Sequence, residues 1–286
     1  MEILQLQVTG ISDAIRSLFM SNKKYNGEIE RKIKLGESLR ERARAFGDLR
    51  DILKDEKAIN DIAEALSPDK NSRQMYIDTL KWYNKMTESV FKITSGNLYE
   101  KSKETDGLIR PELIRTCHTT IGEFVDITAT VSGLHRGATD DFDAHGRTLK
   151  NRIVRMSTRT RSPNDLEFSD WYKGKILSIG DISDIPGVNL PDEITKDGVK
   201  YVKSRFGYVR DDLTADYDVL RGLTPLGIAN LFTFKCDIVG WAHITRLREP
   251  GSGASPELSK MIEKINTQLE KIEPCLNQEF LHYCIK

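Results

Sequence analysis

The sequence predicts an α+β protein in which helix predominates, and three observations carry that prediction. Charge-laced stretches with apolar residues at three- and four-residue spacing fill most of 23–93. The run Glu123 to Val131 alternates apolar and polar residues with the period of a strand. A sharply bounded amphipathic helix then occupies Ser255 to Glu273.

Composition narrows the class further. The 286 residues carry 43 Lys+Arg against 43 Asp+Glu, so the net charge is zero and nothing draws the whole molecule to nucleic acid or an anionic membrane. A hydrophobic content of 38%, a charged content of 30% and a mean hydropathy of −0.45 exclude a disordered or fibrous chain. The longest uncharged run, Gly222 to Phe234, is short of the roughly 20 residues of a membrane helix. The start at Met1-Glu2 lacks a basic and then apolar leader, so the expected compartment is the cytoplasm.

Taken in order, Ile3 to Val8 reads as a short strand, followed by a helix with Ile11, Ala14, Ile15, Leu18 and Phe19 on one face. From about Lys23 to Lys70 the narrow stripes Leu49, Ile52, Leu53 and Ile59, Ile62, Leu66 predict surface-lying helices, and a further helical stretch runs from about Arg73 to Ile93. The strand at Glu123 to Val131 puts Val125, Ile127, Ala129 and Val131 on its buried face. A Gly- and Asp-rich loop is expected over Gly133 to Gly146, and another long loop over Gly180 to Gly198. Leu226 to Ile244, apolar on nearly all sides, reads as one buried helix. The next helix opens with Ser255 as N-cap, Pro256 at its first position and Glu257 in its first turn, and Pro274 ends it.

Common chemical signatures are missing. Cys117, Cys236, Cys275 and Cys284 form no C-x-x-C pair, and the five histidines form no zinc-binding spacing, so neither a metal nor a disulfide framework is expected. Phosphate-binding glycine loops and hydrolase elbows are also missing. The local exception to neutrality is Arg147 to Arg161, RTLKNRIVRMSTRTR, with six basic residues and no acid. If helical, it would align Arg152, Arg155 and Arg159 on one face as an anion site, with Ser157 or Thr158 completing a phosphate cradle. The same residues would equally make a solvated basic face paired with acids elsewhere.

A wider pattern bears on that choice. RGLTPLGIANLFTFKCDIVGWAHITRLR, from Arg221, resembles the flavin-dependent thymidylate synthase segment R-x-(V/L)-L-P, N-x-R-x-L, His or Asn, and L-R at equal spacing. Pro225, Asp237, Val239, His243 and Arg248 take its positions without a gap. Ala254 to Leu258 is similar to A-Q-x-E-I, and KIEPCLNQEF to the closing Pro-containing segment. His118 to Glu123 is similar to H-x-(S/T)-x-x-E before a strand, with Thr120 at the hydroxyl position and Ser95 at the spacing of a flavin-site serine. Arg147, followed by Ser157-Thr158-Arg159, resembles the first Arg of R-H-R-x-x-S and the later S-x-R.

This resemblance implies a central twisted sheet flanked by helices, with residues 1–22 and 76–286 forming the core and 23–75 a helical insertion. It implies a homotetramer with sites between subunits, methylating C5 of a pyrimidine deoxynucleotide, with dUMP to dTMP as the leading case. Methylenetetrahydrofolate would supply the carbon and NADPH would reduce FAD, with no cysteine nucleophile. Arg147, Ser157, Arg159, Arg221 and Arg248 would bind the nucleotide; Ser95, His118, Thr120, Asp237 and His243 would face the FAD; and no metal is implied.

The departures fall on the flavin side, where R-H-R has become Arg147-Thr148-Leu149 and N-x-R has become Asp237-Ile238-Val239. An enzyme of the same fold with altered cofactor or nucleotide use is therefore the nearest rival, and a non-catalytic nucleotide- or nucleic-acid-binding protein the next. Plainer roles compete at single positions. These are helix capping for Arg248, core packing for His243, a turn for His118, a surface ion pair for Arg221, and packing for all four cysteines.

Overall fold

The computed structural model describes residues 1–67, 69–96, 117–144, 152–157, 162–216, 219–220, 222–249, 251–252 and 255–284. Helices and antiparallel sheets make it a helix-rich α+β protein. Strand β1 (Glu2–Thr9) turns directly into helix α1 (Ile11–Ser21). Gly10 makes that turn at φ +85°, where an added Cβ would lie 1.9 Å from the Phe124 carbonyl oxygen.

The charged stretch then folds as α2 (Gly27–Arg44), α3 (Leu49–Ile52) and α4 (Glu56–Leu66), capped by the side chains of Asn26, Asp48 and Asp55. Helix α5 (Lys70–Thr94) follows, capped by Asp69. Helices α2 and α5 meet at Gly36, where a Cβ would fall 2.6 Å from the Tyr83 ring. Tyr83 is buried, its hydroxyl bonds Ser12 at 2.9 Å, and burial pushes its pKa up to about 12.

After the short α6 (Thr119–Gly122) comes β2 (Asp126–His135), then α7 (Arg136–Asp143) and β3 (Ile153–Arg155). Helix α8 (Ile179–Ser183) leads to the meander β4 (Glu193–Lys196), β5 (Val199–Ser204) and β6 (Gly207–Arg210). Strand β7 (Ala229–Asp237), α9 (Ile238–Leu247), α10 (Pro256–Ile272) and α11 (Gln278–Tyr283) complete the order. The main sheet runs β1-β2-β7-β3, all antiparallel, with Leu6 opposite Ala129 and Val131 opposite Phe232.

Alternation decides which sheet face is covered. Ile127, Ala129 and Val131 of β2 and Phe232, Phe234 and Cys236 of β7 are buried against helices, together with Leu258, Met261, Ile265 and Leu269 of α10. Trp241 stacks on Phe234 at 5.4 Å and donates its indole N–H to Asn266 at 2.8 Å. The opposite face carries Thr128, Thr130, Thr233 and Lys235, and Thr130 and Thr233 share a 2.9 Å hydroxyl hydrogen bond. Among the described residues no helix is long and apolar enough to cross a membrane.

Four expectations need correction. Residues 226–244 are not one helix: 229–237 is one of the sheet's two inner strands, and helix begins only after Asp237, whose side chain accepts the Gly240 N–H at 2.7 Å. Uniform apolarity hid a period of two, because Leu231, Thr233 and Lys235 alternate with the buried residues. The loop expected from Gly133 is instead the end of β2, a register shift at Ser132/Leu134, and α7 capped by the His135 ring. The loop expected from Gly180 holds most of α8, whose N-terminus is closed by a capping box between Ser178 and Asp181, and β4. The β4–β5 turn is Asp197-Gly198, both at positive φ, the Asp-Gly hairpin signal. Finally, Ile153–Arg155 is strand and not helix, so Arg152 and Arg155 do not form a helical arginine face.

Candidate functional site

The described part of the basic stretch is held by acids. Arg152 pairs with Asp126 at 2.9 Å, and Lys235 reaches the other oxygen of the same carboxylate at 3.0 Å. Arg155 pairs with Asp140 and, at 2.9 Å, with Asp143 in the last turn of α7. These two arginines follow the bland reading of the stretch. Arg147, Arg159 and Arg221 lie outside the described residues; Ser157, just past β3, is exposed.

Arg248 ends α9 and reaches the same acidic corner, with Nη2 2.9 Å from Asp141 Oδ1. The end of α7 thus collects Arg155 and Arg248 on Asp140, Asp141 and Asp143. Cations at this position also meet the negative end of the helix dipole. Arg248 is held in place while keeping some exposure, its side chain 18% accessible.

Of the residues matched to flavin positions, Ser95, His118, Thr120 and Asp237 lie toward the opposite end of α9. Ser95 caps α5 with its hydroxyl on the Lys92 carbonyl at 3.3 Å, and the His118 N–H donates to the Ile93 carbonyl at 3.0 Å, so the two lie side by side. His118 and Thr120 are exposed at the start of α6. Helix α6 packs between α5 and α9, since a Cβ on Gly122 would meet Thr94 at 2.4 Å and Val239 at 3.0 Å. Asp237 is 1% exposed, and His243 is half-buried midway along α9. The ten residues of α9 separate the Asp237 end from Arg248 by about 15 Å.

As a cradle for the doubly negative FAD pyrophosphate, this set does not fit. Asp237 is an acid whose carboxylate caps its own helix, and Val239, standing where the resembled family has an arginine, lies in the hydrophobic core. Among the described residues no group of His, Cys, Asp and Glu is arranged to hold a metal ion.

Two features escaped the sequence analysis. The first joins His135, Glu257 and Ser255. The His135 Nδ1 accepts the Ala138 N–H at 3.0 Å, which places the ring proton on Nε2, 3.5 Å from both Glu257 and Ser255. Glu257, almost fully buried, also accepts the His135 backbone N–H at 3.1 Å. Ser255 occupies the N-cap position as expected, but its hydroxyl faces this imidazole and does not cap the helix. The helix-start pattern around Glu257 was visible in sequence; its long-range partner at 135 was not.

The second is a cleft of about 230 Å³ at the mouth of β7. It opens where the chain leaves β7 after Met156, which bonds Leu231, and returns at Glu167, which bonds Ala229. Periodicity carries no signal for such a gap between ladder segments.

No family model matches the chain, and no curated protein matches it. Among solved structures, the chain is similar to the flavin-dependent thymidylate synthase ThyX from Helicobacter pylori complexed with FAD and dUMP, at 12% identity and a TM-score of 0.42 over 100% of both chains. It is also similar to the UMP/dUMP methylase PolB from Streptomyces cacaoi bound with 5-Br UMP, at 18% identity and a TM-score of 0.36 over 68% of this chain and 91% of that one. Likeness at this level leaves the site to be argued from the chain's own residues.

Proposed function

We propose that the protein binds a pyrimidine nucleoside monophosphate and transfers a one-carbon unit to C5 of its base. The observation that carries this reading is the placement of Arg248. It is held by Asp141, six residues before Arg147 in the chain, at a corner that also receives Arg155. A nucleotide phosphate carries nearly two charges and is matched by several charge-assisted donors, which Arg147, Ser157, Arg159, Arg221 and Arg248 would supply. Asp141 would orient Arg248, and the cysteines would take no part.

In this reading the methylene carbon comes from methylenetetrahydrofolate, as the sequence resemblance implies, and no step is assigned to a flavin, because Asp237 and Val239 do not fit its pyrophosphate. Residues 23–75 are an insertion into the catalytic core, and the working form is a homotetramer. The test is to incubate the purified protein with pyrimidine monophosphates, methylenetetrahydrofolate, FAD and NADPH, and to follow the nucleotide by mass spectrometry. A nucleotide heavier by one methyl group supports the reading. Nucleotide binding without such a product would favour the non-catalytic rival.

A further inference from the structure

Helix α7 is tied at its two ends to different parts of the molecule. At its start, three amide N–H groups that a helix leaves without internal partners are taken up across the fold. Arg136 donates to the Ile228 carbonyl at 2.9 Å, Gly137 to the Leu226 carbonyl at 3.0 Å, and Ala138 to the His135 ring at 3.0 Å. The imidazole lies close against this first turn, since a Cβ on Gly137 would come within 3.3 Å of it.

His135 is itself fixed from α10. The buried Glu257 carboxylate accepts the His135 backbone N–H at 3.1 Å and lies 3.5 Å from Nε2, and no Lys or Arg pairs with it among the described residues. Ser, Asp or Asn caps a helix with a single short reach. An imidazole has two nitrogens, and here one serves α7 while the other faces Glu257. At the far end of α7, Asp140 and Asp143 receive Arg155, and Asp141 receives Arg248. Eight residues span only about 12 Å, and a helix this short has little stability of its own, so loosening its first turn reaches its last.

We propose that His135 and Glu257 are positioning residues for the nucleotide: Glu257 orients His135, His135 seats α7, and α7 presents Asp141 to Arg248. The proposal rests on the nucleotide reading above and adds to it two residues that do not touch the phosphate.

The test is a double-mutant cycle read by calorimetric titration of the full-length protein with whichever of dUMP, dCMP and UMP the wild type binds most tightly. His135→Leu should weaken binding about fivefold, the equivalent of one lost cap, and His135→Asn, which keeps an acceptor for the Ala138 N–H, should restore it. In an Arg248→Ala background His135→Leu should add no further loss, because its effect runs through that arginine. Asn26→Ala, which removes the cap of α2, should cost similar stability and leave the affinity unchanged. Should His135→Leu fail to fold by circular dichroism, Glu257→Gln runs the same cycle, with a smaller loss that again vanishes in Arg248→Ala. Losses that add in the double variant, or a His135→Leu affinity equal to wild type, overturn the assignment while leaving the nucleotide reading standing. No binding of any of the three by the wild type overturns both.

Discussion

Removing Arg40 while leaving Glu273 in place should destabilise the protein by about 3–5 kcal/mol, the cost of stranding one member of a buried ion pair. The magnitude follows from how completely both groups are enclosed: Arg40 is 3% and Glu273 0% exposed. Two guanidinium nitrogens meet the two carboxylate oxygens at 2.8 and 3.0 Å, while Thr87 accepts from Arg40 at 3.2 Å and the Cys275 N–H donates to Glu273 at 3.2 Å. Burial pulls the Arg40 pKa down, but the charge and hydrogen bond of Glu273 together with Cys275 and Tyr83 outweigh it, so the pKa is raised and Arg40 stays ionised. Without Arg40 the carboxylate keeps the Cys275 amide and loses its counter-charge. The loss is a large share of the roughly 5–15 kcal/mol that holds a typical domain together. Urea unfolding of Arg40→Met, followed by circular dichroism, measures it from the shift in midpoint at constant slope. The double variant Arg40→Met/Glu273→Met, with no charge left to strand, should recover most of the loss. A single-variant loss below about 1 kcal/mol, or a double variant no better than the single, would refute the reasoning.

The other expectations are more local. Arg248→Ala and Arg159→Ala should each weaken nucleotide binding by about 1.5–3 kcal/mol in calorimetry, while Arg161→Ala changes little; a ranking with Arg161 first would overturn the assignment. Burial pushes the Cys284 thiol up to about 12 and raises that of Cys275 well above its ordinary value, so in the native protein at pH 8 iodoacetamide should label the half-exposed Cys117 and spare these two. Peptide mapping that finds Cys284 labelled as fast as Cys117 would contradict this. Hydrogen bonds from Arg16 and then Tyr25 pull Glu30 down to about 2, against an unfolded value near 4.3. A carboxylate depressed in the folded state stabilises above its unfolded pKa, so this contribution should fade as pH falls from about 4 toward 2. Glu30→Gln should flatten that limb of the acid-denaturation curve, and an unchanged limb would count against the contact.

Local chemistry made parts of the fold legible in the sequence. The β2 alternation and the α10 stripe are each written within a few residues, and each element forms where its signal lies. Strand β7 was hidden because its buried aromatics and cysteine sit in a run with few charges, where periods of two and 3.6 are hard to tell apart. Asp237 carried the missing boundary, since an Asp before a helix is an N-cap, but its match to a motif position drew it into the cofactor set. The basic run from Arg147 was visible as charge arithmetic. Its neutralising partners Asp126, Asp140 and Asp143 were not, because ion pairing across a fold leaves no trace in spacing.

Thermal unfolding of the full-length protein in the presence of dUMP, dCMP and UMP, each titrated to millimolar concentration, tests the central claim most directly. A ligand that binds only the folded state raises the melting temperature by mass action, and the shift grows with the logarithm of its concentration above Kd. The account predicts a saturable rise with at least one pyrimidine monophosphate, reduced in Arg248→Ala. No shift with any of the three would contradict it.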